Sequence, residues 1–172
     1  MFDGAPGSAE PCLAVTRSEE DTRRLAAILA EKLPGGVTVL LTGDLGAGKT
    51  AFVRGFCEAL GISRVRSPSF TLVNRYRAGE GEIVHSDLYR LSGGEGEDLD
   101  LHGEESDSLF LFIEWADRMN FSSDRPLLSV SITIPDIVNN PGLRIFSFRP
   151  ANPPGEKILA PLRDFIEEKF PQ

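Results

Sequence analysis

The octapeptide Gly43-Asp44-Leu45-Gly46-Ala47-Gly48-Lys49-Thr50 constrains this chain more than any other feature. It fits the P-loop spacing G-x-x-x-x-G-K-[ST]. In that pattern glycines bring backbone N–H groups close to phosphate oxygens, the lysine carries a flexible charge to the β- and γ-phosphates, and the hydroxyl reaches Mg²⁺. Four fixed positions match by chance somewhere in a chain of this length on the order of once in a hundred. The flanks sharpen the reading. Val37-Thr38-Val39-Leu40-Leu41 is uncharged, rich in β-branched residues and bounded by glycines, the pattern of a strand buried on both faces of a parallel sheet. Lys49 to Leu60 reads as a helix closed by Gly61. A glycine loop between a buried strand and a helix N-terminus is what phosphate binding needs, and ATP with Mg²⁺ is the expected ligand.

The remaining elements follow from periodicity and turn chemistry. Cys12 to Thr16 reads as an edge strand, and Ser18-Glu19-Glu20-Asp21 as a capping box opening a helix that runs through Leu25, Ile28, Leu29 and Leu33 to Pro34-Gly35-Gly36. Phe70 to Tyr76 and Glu82 to His85 read as a hairpin turning at Ala78–Gly81. Leu91 to Ser108 is acidic and Gly-rich, a loop with a short helix expected around Glu97 to Leu101. Leu109 to Ile113 is a second buried strand. Leu127 to Ile134 and Leu143 to Phe148 alternate as a late antiparallel hairpin across 135–142. Pro150, Pro153 and Pro154 suggest a linker to an amphipathic helix over Glu156 to Phe170. The fold class is α/β: a P-loop NTPase-like three-layer arrangement around a mixed, mostly parallel sheet.

A P-loop binds nucleotide without selecting a reaction. Hydrolysis needs a carboxylate for the metal shell and a group that orients water. Asp87, after Ile83 to Ser86, and Glu114, after Leu109 to Ile113, stand at the C-terminal ends of apolar strands, where ligands of open α/β sheets collect. Which of the two meets the metal stays open at this level. Trp115 either caps the core or faces nucleotide or a partner. Ser67-Pro68-Ser69-Phe70 is either a serine-rich turn into a strand or a switch loop sensing the γ-phosphate. His85 reads as structural and His102 as solvated.

Charge and cysteine usage narrow the class. Lys plus Arg number 18 against 26 Asp plus Glu, a net charge of −8 that disfavours a free-standing nucleic-acid binder. The two cysteines, Cys12 and Cys57, have no ligand spacing and read as buried thiols in a reducing compartment. The first residues lack the basic and apolar regions of a secretory signal, and no apolar run reaches the roughly 18 residues of a membrane span. A cytoplasmic protein with no membrane or DNA partner is expected.

Taken in order, these pieces resemble the TsaE (YjeE) family, the small ATPase of bacterial tRNA threonylcarbamoyladenosine synthesis. The stretches that carry the likeness are Glu19-Glu20-Asp21-Thr22, GDLGAGKT at 43–50, Arg54-Gly55-Phe56, Ala59-Leu60-Gly61, Val65 to Val73 with Ser67-Pro68-Ser69-Phe70, His85-Ser86-Asp87-Leu88-Tyr89-Arg90-Leu91, and Ile113-Glu114-Trp115-Ala116. The resemblance implies that Lys49 and Thr50 bind phosphates and Mg²⁺, that Glu114 is a Mg²⁺ ligand, and that Asp87 acts in the metal shell or on the water. It implies that Thr22 approaches the nucleotide and that 67–70 is the switch. It also implies that TsaD and TsaB are partners, with tRNA met only through them, and that hydrolysis is weak alone. The expected organisation is a flexible 1–11, a P-loop ATPase domain over 12–150, and a linker with a C-terminal helix over 151–172. Ser69 stands where the family usually has Thr, the 91–109 segment is richer in Gly and Ser than expected, and the last helix looks like an addition.

Three rival classes remain in view. A small-molecule kinase would carry an Arg-bearing lid, and no such segment is visible. A regulatory GTPase would show N-K-x-D, which is absent. A non-enzymatic module would use the P-loop for a structural ligand only.

Overall fold

The computed structural model describes residues 10–91 and 99–172. Strands β1 (Cys12–Thr16), β2 (Val37–Thr42), β3 (Val73–Ala78), β4 (Gly81–Asp87), β5 (Phe110–Glu114), β6 (Leu127–Thr133) and β7 (Arg144–Pro150) form one sheet in the order β1-β7-β6-β2-β5-β4-β3. The centre is parallel, β2 pairing with both β5 and β6, and β5 with β4. The edges are antiparallel, β1 on β7, β7 on β6 and β3 on β4. The late hairpin is therefore present as the sequence pattern predicts. Its first strand lies beside the P-loop strand.

Alternation along the strands explains the layers. Val37, Val39 and Leu41 of β2 and Phe110 and Phe112 of β5 join a core with helices α1 (Glu19–Lys32) and α2 (Lys49–Ala59). Leu40, Leu111, Ile113 and Val84 turn to the opposite face, where Leu101 of α3 (Leu101–Asp107) and Phe121 cover them. Phe56 meets Phe110 and Phe112 edge-on at 4.8 and 4.9 Å, which fixes α2 across the sheet. Helix α1 begins as its capping residues dictate. The Ser18 hydroxyl accepts from the Asp21 N–H, and the Asp21 carboxylate accepts from the Arg17 N–H.

Four expectations need correction. The strand expected from Phe70 begins at Val73 instead: Leu72 adopts φ 64° and donates its N–H to Pro68 O at 2.7 Å, so Ser69 to Leu72 form a turn. The helix expected around Glu97 to Leu101 is α3, which starts where that span ends because Asp100 caps the N–H of Gly103; Glu97 and Asp98 lie outside the described residues. Finally, Pro153 and Pro154 are not linker. They open helix α4 (Pro153–Leu159) behind an Asn152 cap, where a proline's missing N–H costs nothing. The single helix expected over Glu156 to Phe170 is broken by Pro161, giving a 3₁₀ turn at Ala160–Leu162 and then α5 (Arg163–Lys169).

These last helices are integral to the fold. Leu159, Leu162, Ile166 and Phe170 belong to the main core, and Phe170 O accepts the Val15 N–H on the otherwise open edge of β1. The Ile166→Ala variant is expected to lose about 2–5 kcal/mol of stability, measurable by urea unfolding. A loss below 0.5 kcal/mol would mean that α5 only lies on the surface.

Candidate phosphate-binding site

The loop after β2 takes its shape from two glycines. Gly43 has φ 139°, and a Cβ there would stand 2.4 Å from Ile132 O, so neither conformation nor space admits a side chain. Gly48, φ 108°, is the N-cap of α2. From the far side Arg144 of β7 holds the loop, donating Nε to Ala47 O (2.9 Å) and Nη2 to Gly46 O (3.3 Å). No local pattern marks this arginine, because its role depends on the sheet order that brings β7 beside β6.

Lys49 opens α2 with only 4% of its surface exposed. Its Nζ donates to Gly43 O (2.6 Å) and Asp44 O (3.0 Å) and sits 3.9 Å from the centre of the Trp115 ring. Burial pulls its pKa below the ordinary lysine value, opposed by the carboxylates of Glu114 and Asp87. Trp115 lies between the core and the P-loop. It packs against the second core and against Tyr89 at 5.0 Å, and its ring faces the P-loop lysine. Its backbone is left-handed (φ 57°), a costly conformation for a bulky residue that turns the chain directly after Glu114.

Asp87 and Glu114 are the last residues of β4 and β5 and are register partners across the parallel pair. Both are buried, at 4% and 3% exposure, rather than displayed on the surface. Glu114 Oε1 accepts from Thr50 Oγ1 (2.8 Å) and contacts His85 Nε2 (2.7 Å). Asp87 Oδ2 accepts from Ser69 Oγ (2.9 Å) and Ser67 Oγ (3.4 Å), and Oδ1 accepts from the Tyr89 N–H (2.9 Å). The serine loop is therefore tied to Asp87. Phe70 beside it is 83% exposed, with the Arg90 guanidinium 4.1 Å from its ring centre. His85, which sequence patterning assigns to structure alone, is drawn into the site. His102 is exposed as expected and stacks on Phe121.

Two cavities flank the loop and share Gly46, Gly48 and Ala51. One, of about 220 Å³, is lined by Lys49, Thr50, Ser67, Ser69, Asp87 and Glu114. The other, of about 270 Å³, is lined by Ser18, Thr22, Pro141, Gly142 and Arg144, with Thr22 bonded to Thr16 at 3.0 Å. Together they offer an elongated anionic ligand a path over the α2 N-terminus. The oxygen donors Thr50, Glu114 and Asp87 suit Mg²⁺, a hard cation that takes one or two carboxylates and completes its shell with water and phosphate. A larger open groove of about 470 Å³ runs between α1 and α2, but its Arg23–Glu58 and Arg54–Glu19 pairs make it solvated surface.

Residues 16–139, more than half of the chain, match the sequence profile of the family "Threonylcarbamoyl adenosine biosynthesis protein TsaE". The tRNA threonylcarbamoyladenosine biosynthesis protein TsaE of Aquifex aeolicus is 43% identical over 107 residues, 60% of this chain and 76% of that protein. The protein of the same name from Rickettsia felis is 36% identical over 129 residues, 72% of this chain and 74% of its own. Among solved structures, Bacillus YdiB superposes with a TM-score of 0.74 at 27% identity, covering 93% of this chain and 99% of that one. Among the described residues, no helix is long and apolar enough to cross a membrane.

Proposed function

Because the chain belongs to the TsaE family of tRNA threonylcarbamoyladenosine biosynthesis proteins, we propose that it is a Mg²⁺-dependent ATPase supporting the TsaB–TsaD complex in the cytoplasm, meeting tRNA only through those partners. One observation carries the hydrolytic part of this reading: Thr50 Oγ1 and Glu114 Oε1 meet at 2.8 Å in the cavity that also holds Lys49 and Asp87. Thr50 and Glu114 would hold the metal, which when bound neutralises charge on the phosphate oxygens. Lys49 exchanges the carbonyls of Gly43 and Asp44 for phosphate oxygens. The loop N–H groups and the α2 N-terminus bind the rest of the chain of phosphates, and the Thr22–Arg144 cavity takes the nucleoside end.

The 67–70 loop couples this site to partners. Its two hydroxyls share Asp87 Oδ2, so a γ-phosphate arriving in the same cavity competes for them. Phe70, solvent-exposed at the loop's tip, then moves with the loop and offers an apolar contact to a docking protein. The protein alone is expected to hydrolyse ATP slowly. TsaB plus TsaD should raise the rate at least about tenfold and co-elute with the protein when nucleotide is present, as expected for a P-loop site completed by a partner. A preference for GTP, or phosphate appearing on an added small-molecule acceptor instead of in solution, would overturn the proposal.

A further inference from the structure

His85 is fully buried at the fifth position of the seven-residue strand β4, two residues after the buried Ile83 and in register with the buried Phe112 of β5 on one side and with Asn74 of β3 on the other. An imidazole is an expensive choice there. Its Nδ1 has no hydrogen-bond partner, and neither does Oγ of the neighbouring buried Ser86. An apolar side chain would fill the same space without leaving an orphaned ring nitrogen. Among the described residues, the ring makes one hydrogen bond, between Nε2 and Glu114 Oε1 at 2.7 Å. A carboxylate can only accept, so Nε2 is the donor of this bond. Thr50 donates to the same Oε1, so the two donors converge on one oxygen and fix the carboxylate plane between β5 and the start of α2.

We propose that His85 is a positioning residue that orients Glu114 toward the metal, deciding Mg²⁺ affinity without touching nucleotide. The inference rests on the reading of Thr50 and Glu114 as the metal-holding pair. Partners that lock a ligating carboxylate typically change metal affinity or activity by about 10–100-fold when removed. Asp87 lies two residues along the same strand face, but its oxygens are taken by Ser69, Ser67 and the Tyr89 N–H, so it is not free to substitute as the orienting group.

Calorimetric titration of the full chain with ADP, at a series of Mg²⁺ concentrations and in EDTA, tests the assignment. In H85L the Mg²⁺ concentration for half-maximal enhancement of ADP binding should rise about tenfold or more, while ADP affinity in EDTA stays within about twofold of wild type. Should H85L fold poorly, the pair H85Q and H85N carries the same contrast. Gln places an amide N–H where Nε2 stands and should restore most of the Mg²⁺ response, whereas the shorter Asn should not. Equal Mg²⁺ dependence in wild type and all three variants would overturn the role of His85. An equal loss in EDTA and in Mg²⁺ would assign His85 to core structure alone. A wild type that ignores Mg²⁺ would instead refute the metal reading on which this inference stands.

Discussion

Replacing Lys49 with alanine is expected to lower ATP turnover by about 10²–10³-fold, the usual cost of deleting one preorganised charge donor from a site that stabilises developing negative charge. The loss should be this large because neighbouring cations are already committed. Arg144 spends its guanidinium on the carbonyls of Ala47, Gly46, Pro141 and Leu143. Arg118, 5.1 Å from the Trp115 ring, donates to Tyr89 O and Leu91 O. Neither can reach into the cavity without releasing backbone it now holds. The variant should remain folded, since Lys49 bonds only loop carbonyls and rests on an indole face. A phosphate-release assay with reconstituted TsaB and TsaD, paired with a thermal melt, separates the two effects. Turnover within about fivefold of wild type would remove Lys49 from the reaction, given that each tenfold corresponds to about 1.4 kcal/mol of barrier.

The parts of this fold that were legible in sequence are those whose signal is local. β2, the P-loop and α2 follow from a buried-strand pattern, fixed glycines and helical spacing, all within 37–60. Asp87 and Glu114 were visible as strand-end carboxylates, and the sheet order then made them register partners. What stayed hidden depends on long-range placement. Arg144 lies 97 residues from the carbonyl it holds, and the pairing of His85 with Glu114 crosses 29. Phe70 misleads for a different reason: Phe-Thr-Leu-Val has strand propensity, yet the left-handed Leu72 reserves its carbonyl for the Asp87 N–H and turns Phe70 into solvent. At the C-terminus the clues are local. Asn152 before two prolines is a helix start, and Pro161 within an amphipathic run marks the break.

Glu114→Gln asks whether charge or shape matters at the end of β5. Glutamine keeps the volume and an amide oxygen that can still accept from Thr50 Oγ1 and His85 Nε2, so the carboxylate's two neighbours stay satisfied. What disappears is the negative charge that the proposed function assigns to the metal. Turnover with partners should therefore fall on the order of 10²-fold, while nucleotide affinity measured in EDTA should change little. Asp87→Asn supplies the comparison. Asp87 accepts from Ser67, Ser69 and the Tyr89 N–H, and an asparagine oriented with its oxygen toward the serines would keep only part of that set. Its main effect should appear in the coupling to TsaB and TsaD, through a loosened 67–70 loop, rather than in Mg²⁺ dependence. If Asp87→Asn abolishes the Mg²⁺ response and Glu114→Gln leaves it intact, the two carboxylates have exchanged roles and Asp87 is the metal ligand. If Glu114→Gln turns over ATP at the wild-type rate, hydrolysis does not use the cavity between Thr50 and Asp87 at all.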